Sequence, residues 1–160
     1  MEWLDIEYMK SELLDILTEE RNKIRDNEED KSFFEDNYTD EYLEERAEYM
    51  ANKFNDDMER FIKSKDYNIP GNFKVINHNY TMYKKGYDEF KVLPEEDTWY
   101  GLIERLEKND QSEKTKADRK WLVDWFFEAF GTFGICYNFS NEVYDTMYHW
   151  EQENKDDENK

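Results

Sequence analysis

Large apolar side chains crowd most densely into residues 121–139, WLVDWFFEAFGTFGICYNF. Leu122, Trp125, Phe126, Ala129 and Phe130 recur at helical spacing, and Trp121, Val123 and Phe127 widen that stripe until little of the helix is left polar. A helix apolar most of the way round belongs in a core. The pattern therefore predicts a central helix ending at Gly131, followed by a short buried strand over residues 133–139. Two amphipathic helices are predicted upstream. In residues 2–26, Ile6, Met9, Leu13, Leu17 and Ile24 share a face with Trp3 and Leu14 at its edge, opposite Glu12, Asp15, Glu19 and Asp26. In residues 39–63, Thr39 is placed to cap a helix with acids in its first turn. Leu43, Ala47, Met50, Phe54, Met58 and Phe61 form its apolar stripe, opposite Glu41, Glu45, Glu48, Asp56 and Glu59. The polar connection over residues 27–38 carries Phe33 and Phe34, which pin it to the core.

Residues 68–93 change character. Pro70-Gly71 signals a turn, and the runs 73–76, 80–83 and 87–93 are rich in aromatic and β-branched residues, broken by Asn77-His78-Asn79 and Lys84-Lys85-Gly86. Such runs predict a small antiparallel sheet of two or three strands. Beyond Pro94 the pattern gives a short helix over 99–108 with Leu102, Ile103 and Leu106 inward, and a polar loop over 109–115. A last helix over 141–153, capped by Ser140, packs Val143, Met147 and Trp150, and residues 155–160 form a disordered acidic tail. The expected architecture is a single α+β domain over residues 1–154, mostly helical, with four to five helices and a small antiparallel β-sheet.

Composition sharpens this picture. Of 160 residues, 39% are charged, yet 18% are aromatic, and disordered acidic chains are poor in aromatics. The net charge of −19 destabilises through self-repulsion and disfavours binding to nucleic acid or an anionic membrane, which need a basic surface. It points to a basic partner. The acidity follows the predicted helices: residues 1–64 carry −12 and residues 95–160 carry −9, whereas residues 65–94 carry +2. The single cysteine, Cys136, cannot form an intramolecular disulfide and is expected to be an inert buried thiol. The first ten residues, MEWLDIEYMK, are not basic-then-apolar like a secretory signal, and no run approaches a membrane span, so a cytoplasmic location is expected. Four alanines and sixteen lysines against six arginines are the usage of AT-rich coding sequence.

No catalytic signature is present, and neither an enzymatic activity nor a cofactor is expected. His78 and His149 lie outside zinc spacing, and Gly131-x-x-Gly134 lacks the lysine of a phosphate loop. Asp118, Asp124 and Glu128 could form an acid/base or metal set, although the solvent side of a helix explains them more simply. The sharper feature is the carboxylate rows. Side chains three or four apart on a helix have Cβ atoms about 5–6 Å apart, so Glu41, Glu45, Glu48, Asp56 and Glu59 make a line of negative charge, and Glu12, Asp15 and Glu19 a second. Two such rows could imitate the charged edges of a duplex. Tyr8, Tyr38, Tyr42 and Tyr49 lie among them, with Tyr42 and Tyr49 as candidate anchors.

In these acidic, aromatic-rich, motif-free helices the chain resembles phage counter-defence proteins: antirestriction DNA mimics, uracil-DNA glycosylase inhibitors and acidic anti-CRISPR proteins. That resemblance implies a stoichiometric inhibitor occupying the basic nucleic-acid-binding surface of a restriction enzyme, CRISPR effector or other nuclease. An immunity protein against a basic toxin nuclease uses similar physics, and a phage adaptor docking through its aromatics is a further alternative. Lys74, Lys84, Lys85 and Lys91 depart from a pure mimic, as a second contact surface or as a charged sheet edge.

Overall fold

In the computed structural model, which describes residues 1–63 and 72–158, all regular structure is helical. The helices are α1 (Ile6–Asp26), α2 (Ser32–Asn37), α3 (Asp40–Lys63), α4 (Asn72–Lys84), α5 (Trp99–Glu107), α6 (Glu113–Phe130) and α7 (Phe133–Glu158), with a 3-10 turn at Glu95–Asp97 before α5. They divide between two compact units, residues 1–9 with 52–125 and residues 10–51 with 126–160.

The expected α+β architecture is therefore corrected: no strand or sheet exists among the described residues. Residues 73–76 and 80–83 belong to α4, whose Ile76 and Tyr80 are fully buried one turn apart. Tyr80 packs edge-on against Trp99 and Trp121, and Tyr83 stacks on Trp121 at 5.4 Å. The β-rich composition was a preference for packed aromatic surface, which a helix satisfies equally well. Residues 87–93 form turns and irregular chain without strand pairing. The Pro70-Gly71 turn lies outside the described residues. The strand expected over 133–139 is the start of α7. Gly131, at φ 71°, ends α6 as expected, but Cys136 N–H then donates to Thr132 O at 3.0 Å and the chain re-enters a helix at once. The helix placed at 141–153 thus runs from Phe133 to Glu158.

In the first unit, the side chains of Asn55 and Arg119 tie down the N-terminal segment. Asn55 Oδ1, buried, accepts from Trp3 N–H at 2.7 Å and Leu4 N–H at 2.9 Å, while its Nδ2 donates to Met1 O at 2.9 Å. Asp5 Oδ1 accepts from Tyr8 N–H at 3.1 Å, an N-cap that starts α1 at Ile6 rather than at residue 2. Trp3 and Leu4 consequently leave the helix pattern and are buried, as are Trp99, Leu102, Leu106, Leu122 and Val123 of the same unit. A fully buried aromatic side chain removes about 150–250 Å² from water, so Trp3 and Trp99 are heavy contributors. Gly101 is needed where α5 starts: a Cβ there would lie 2.3 Å from Glu95 O.

In the second unit, Leu13, Leu17 and Ile24 of α1, Leu43, Ala47 and Ala51 of α3, and Phe139, Val143 and Met147 of α7 form the buried apolar stripes. Phe33 and Phe34 pin α2 as expected: both are buried, and Phe33 meets Trp150 edge-on at 5.5 Å. Arg21, buried, donates to Tyr38 O at 3.1 Å and pairs with Asp40 at 2.6 Å, fastening the junction before α3.

Candidate functional site

The two units differ sharply in charge. Residues 1–9 and 52–125 hold 18 acidic and 14 basic residues, net −4, whereas residues 10–51 and 126–160 hold 23 acidic and 8 basic, net −15. Nearly all of the chain's excess charge thus sits on the second unit.

Within that unit, Glu41, Glu45 and Glu48 are exposed on α3 as the periodicity required, because Leu43, Ala47 and Ala51 take the inward positions. Glu41 and Glu45 have no basic side chain within 4 Å among the described residues, while Lys10 Nζ lies 3.9 Å from Glu48 and 3.7 Å from Glu44. Glu44 was not singled out from the sequence; only the placement of Lys10 on α1 reveals the pair. On α1, Asp15 and Glu19 are exposed and Glu12 is half-buried, and Lys23 approaches Glu19 at 3.8 Å. Tyr49 is well exposed beside this row, but Tyr42 is half-buried with its ring edge-on to Tyr38 at 5.3 Å. Tyr42 is a packing residue first.

In the first unit, Asp56 is exposed, whereas Glu59 is half-buried and bonded to Lys63 Nζ at 2.7 Å. That lysine holds the Glu59 carboxyl below its ordinary range, and it also neutralises its field. Of the row read from α3, Glu59 is the member least able to act as a phosphate surrogate.

The proposed acid/base set dissolves on inspection of Asp118. This carboxylate is fully buried and occupied: Oδ2 accepts from Arg105 Nη2 at 2.8 Å and Tyr80 OH at 3.0 Å, and Lys84 Nζ lies 2.7 Å from Oδ1. Arg105 continues the network to Thr115 Oγ1 at 2.7 Å and Glu96 O at 3.0 Å. Burial first, and then the Asp118 charge, push the Tyr80 phenol far above its usual range. Asp124 is exposed and accepts from Tyr8 OH at 2.6 Å; Glu128 is exposed. Among the described residues no three His, Cys, Asp or Glu side chains converge on a point where a metal ion could sit. Lys84 is committed to Asp118 and lies over the Tyr80 and Tyr83 rings at 5.6 and 5.4 Å, so it is neither a sheet-edge guard nor a free contact.

Cys136, which lies on α7, is half-buried rather than buried. Partial burial, with Glu20 nearby, raises its thiol pKa, which favours the unreactive protonated form. No described helix is long and apolar enough to cross a membrane. No family model, no curated protein and no solved structure matches the chain.

Proposed function

We propose that this protein is a stoichiometric inhibitor that binds the basic nucleic-acid-binding surface of a nuclease or related defence enzyme, acting in the cytoplasm as an acidic nucleic-acid mimic. The observation that carries the reading is the concentration of net charge −15 on one compact unit. On that unit α3 presents Glu41, Glu45 and Glu48 to solvent, with Tyr49 exposed beside them. An acidic face of this kind steers a basic partner into a fast, salt-sensitive encounter, and an exposed tyrosine supplies stiff, amphipathic contact area. Asp56 belongs to the other unit and is an accessory charge at most.

The test is affinity capture from a host lysate at low and high salt, with bound proteins identified by mass spectrometry. The expected result is a nucleic-acid enzyme that is released as salt rises, is displaced by its own DNA or RNA, and escapes the Glu41→Lys/Glu45→Lys/Glu48→Lys variant. A partner without a nucleic-acid site, held equally at both salt concentrations, overturns the reading.

A further inference from the structure

Helix α7 has two apolar faces and packs only one. Phe139, Val143 and Met147 are buried, but Phe133, Tyr137, Tyr144 and Tyr148 are 78, 57, 47 and 58% exposed. These four lie at helical spacings of four, seven and four, which aligns them on one side of the helix. The ridge spans sixteen residues, fifteen steps of 1.5 Å or about 22 Å. Phe133 and Tyr137 stack on each other, ring centroids 5.9 Å apart, rather than on the rest of the unit. With aromatic side chains of about 150–250 Å² each, the exposed ridge amounts to on the order of 500 Å², within the range of a functional patch.

The N-terminal half of this ridge borders a cleft of about 440 Å³, into which Glu20 and Lys23 of α1 project from one side and Phe133, Cys136 and Tyr137 of α7 from the other. Lys23 is already approached by Glu19, leaving the Glu20 charge in excess, and farther along α7 Asp145 and Glu151 are exposed. The unit that carries all this has net charge −15, so a second copy of the same unit would bring like charge against like.

We infer that the exposed aromatic ridge of α7, with the cleft between α7 and α1, is a docking surface for a basic amphipathic helix of another protein. An amphipathic helix laid along an apolar groove uses side chains at i, i+4 and i+7 as anchors, the same recurrence that α7 presents. Its apolar stripe covers the ridge and enters the cleft; its flanking lysines and arginines meet the excess negative charge that the unit carries. This surface is separate from the carboxylates of α3, and the inference does not depend on the partner being a nuclease.

The probe is a fluorescent peptide of about 18 residues, leucine and lysine patterned at helical spacing, compared with a scrambled peptide of the same composition. Anisotropy titrations use the full chain at about 0.15 M salt. The patterned peptide should bind at least about tenfold more tightly than the scrambled one, and Phe133→Ser/Tyr137→Ser should remove that preference. Both substitutions are at exposed positions, and circular dichroism checks that the variant remains folded. Glu45→Gln/Glu48→Gln should weaken both peptides alike and preserve the preference. Bound patterned peptide should also slow alkylation of Cys136, which lines the cleft. Equal affinity for the two peptides overturns the inference, as does full binding by the folded double variant or binding that leaves Cys136 unprotected. Self-association in sedimentation that the double variant loses also overturns it, by making a second copy the occupant.

Discussion

Replacing Asp118 by alanine removes the anion from the interior of the first unit while leaving its cations in place. Asp118 is fully buried, with Lys84 Nζ at 2.7 Å and Arg105 Nη2 at 2.8 Å, and it is the acceptor for Tyr80 OH at 3.0 Å. Breaking a buried pair from one side costs about 3–5 kcal/mol, because the surviving charge stays desolvated. Two considerations place this case at the lower end. Arg105 keeps Thr115 Oγ1 and Glu96 O, and both cationic side chains retain 15% exposure through which water can reach them. Losing the acceptor for Tyr80 adds about 1 kcal/mol. The expected cost is about 4 kcal/mol. Asp118→Asn keeps shape and an acceptor oxygen, and should cost about 2 kcal/mol. Asp124→Asn, at an exposed position where an oxygen can still accept from Tyr8, should change stability by less than about 0.5 kcal/mol. Urea unfolding followed by tryptophan fluorescence is the assay, since Trp3, Trp99, Trp121 and Trp125 belong to this unit and only Trp150 to the other. If Asp118→Ala unfolds within about 0.5 kcal/mol of the parent, the ion cluster does not hold α4, α5 and α6 together and the reasoning fails.

Three further outcomes are expected. Gly101→Ala should destabilise the first unit by about 2 kcal/mol or more, because the new Cβ meets backbone oxygens at 2.3 and 2.8 Å; Gly134→Ala, with open space around a helical position, should stabilise by up to about 0.5–1 kcal/mol, and paired urea melts compare them. Stability should fall in alkali. Burial raises the Tyr38, Tyr80 and Tyr83 phenols and the Cys136 thiol. For acids so shifted, the contribution is complete below the unfolded values, about 8.5 for cysteine and 10 for tyrosine, and is lost as pH climbs from there toward the folded values; thermal melts from pH 7 to 11 that stay flat would contradict this. Adding salt from about 0.01 to 0.3 M should raise the melting temperature, because screening relieves the repulsion within the second unit; a fall would mean that its ion pairs outweigh its self-repulsion.

The helical period was legible wherever one stripe of a helix was uniformly apolar. α3 follows residues 39–63 almost residue for residue, and α5 follows 99–108, because Leu43, Ala47, Leu102 and Leu106 are all buried as their spacing required. The exposure of Glu41, Glu45 and Glu48 follows from the same geometry. Residues 73–83 have the composition of strands but the spacing of a helix. Ile76 and Tyr80 are one turn apart, and the apparent break at Asn77-His78-Asn79 is a run of half-buried and exposed positions between them. Residues 133–139 differ in the opposite sense: their apolar density does not mean burial, since Phe133 and Tyr137 are exposed and Phe139 is buried on one side of a longer helix.

α6 shows why hydrophobicity cannot find every buried face. Its first half, EKTKADRK, reads as loop and solvated helix, yet the helix starts at Glu113, with Ser112 Oγ accepting from Thr115 N–H at 3.4 Å. Thr115, Asp118 and Arg119 are buried, continuing without interruption into Leu122, Val123 and Trp125. The spacing of that stripe is as regular as on α3, but its first turns are built from groups whose burial must be offset by partners elsewhere in the chain. Those partners are Lys84 and Tyr80 on α4 and Arg105 on α5 for Asp118, and Glu2 O at 2.9 Å for Arg119 Nε. A polar side chain announces an inward position only together with its partner, and the partner is supplied by the fold. The pairing of Asp118 with residues 34 and 13 positions upstream therefore had to be seen in three dimensions, whereas the exposed carboxylates of α3, which need no partner, could be read directly.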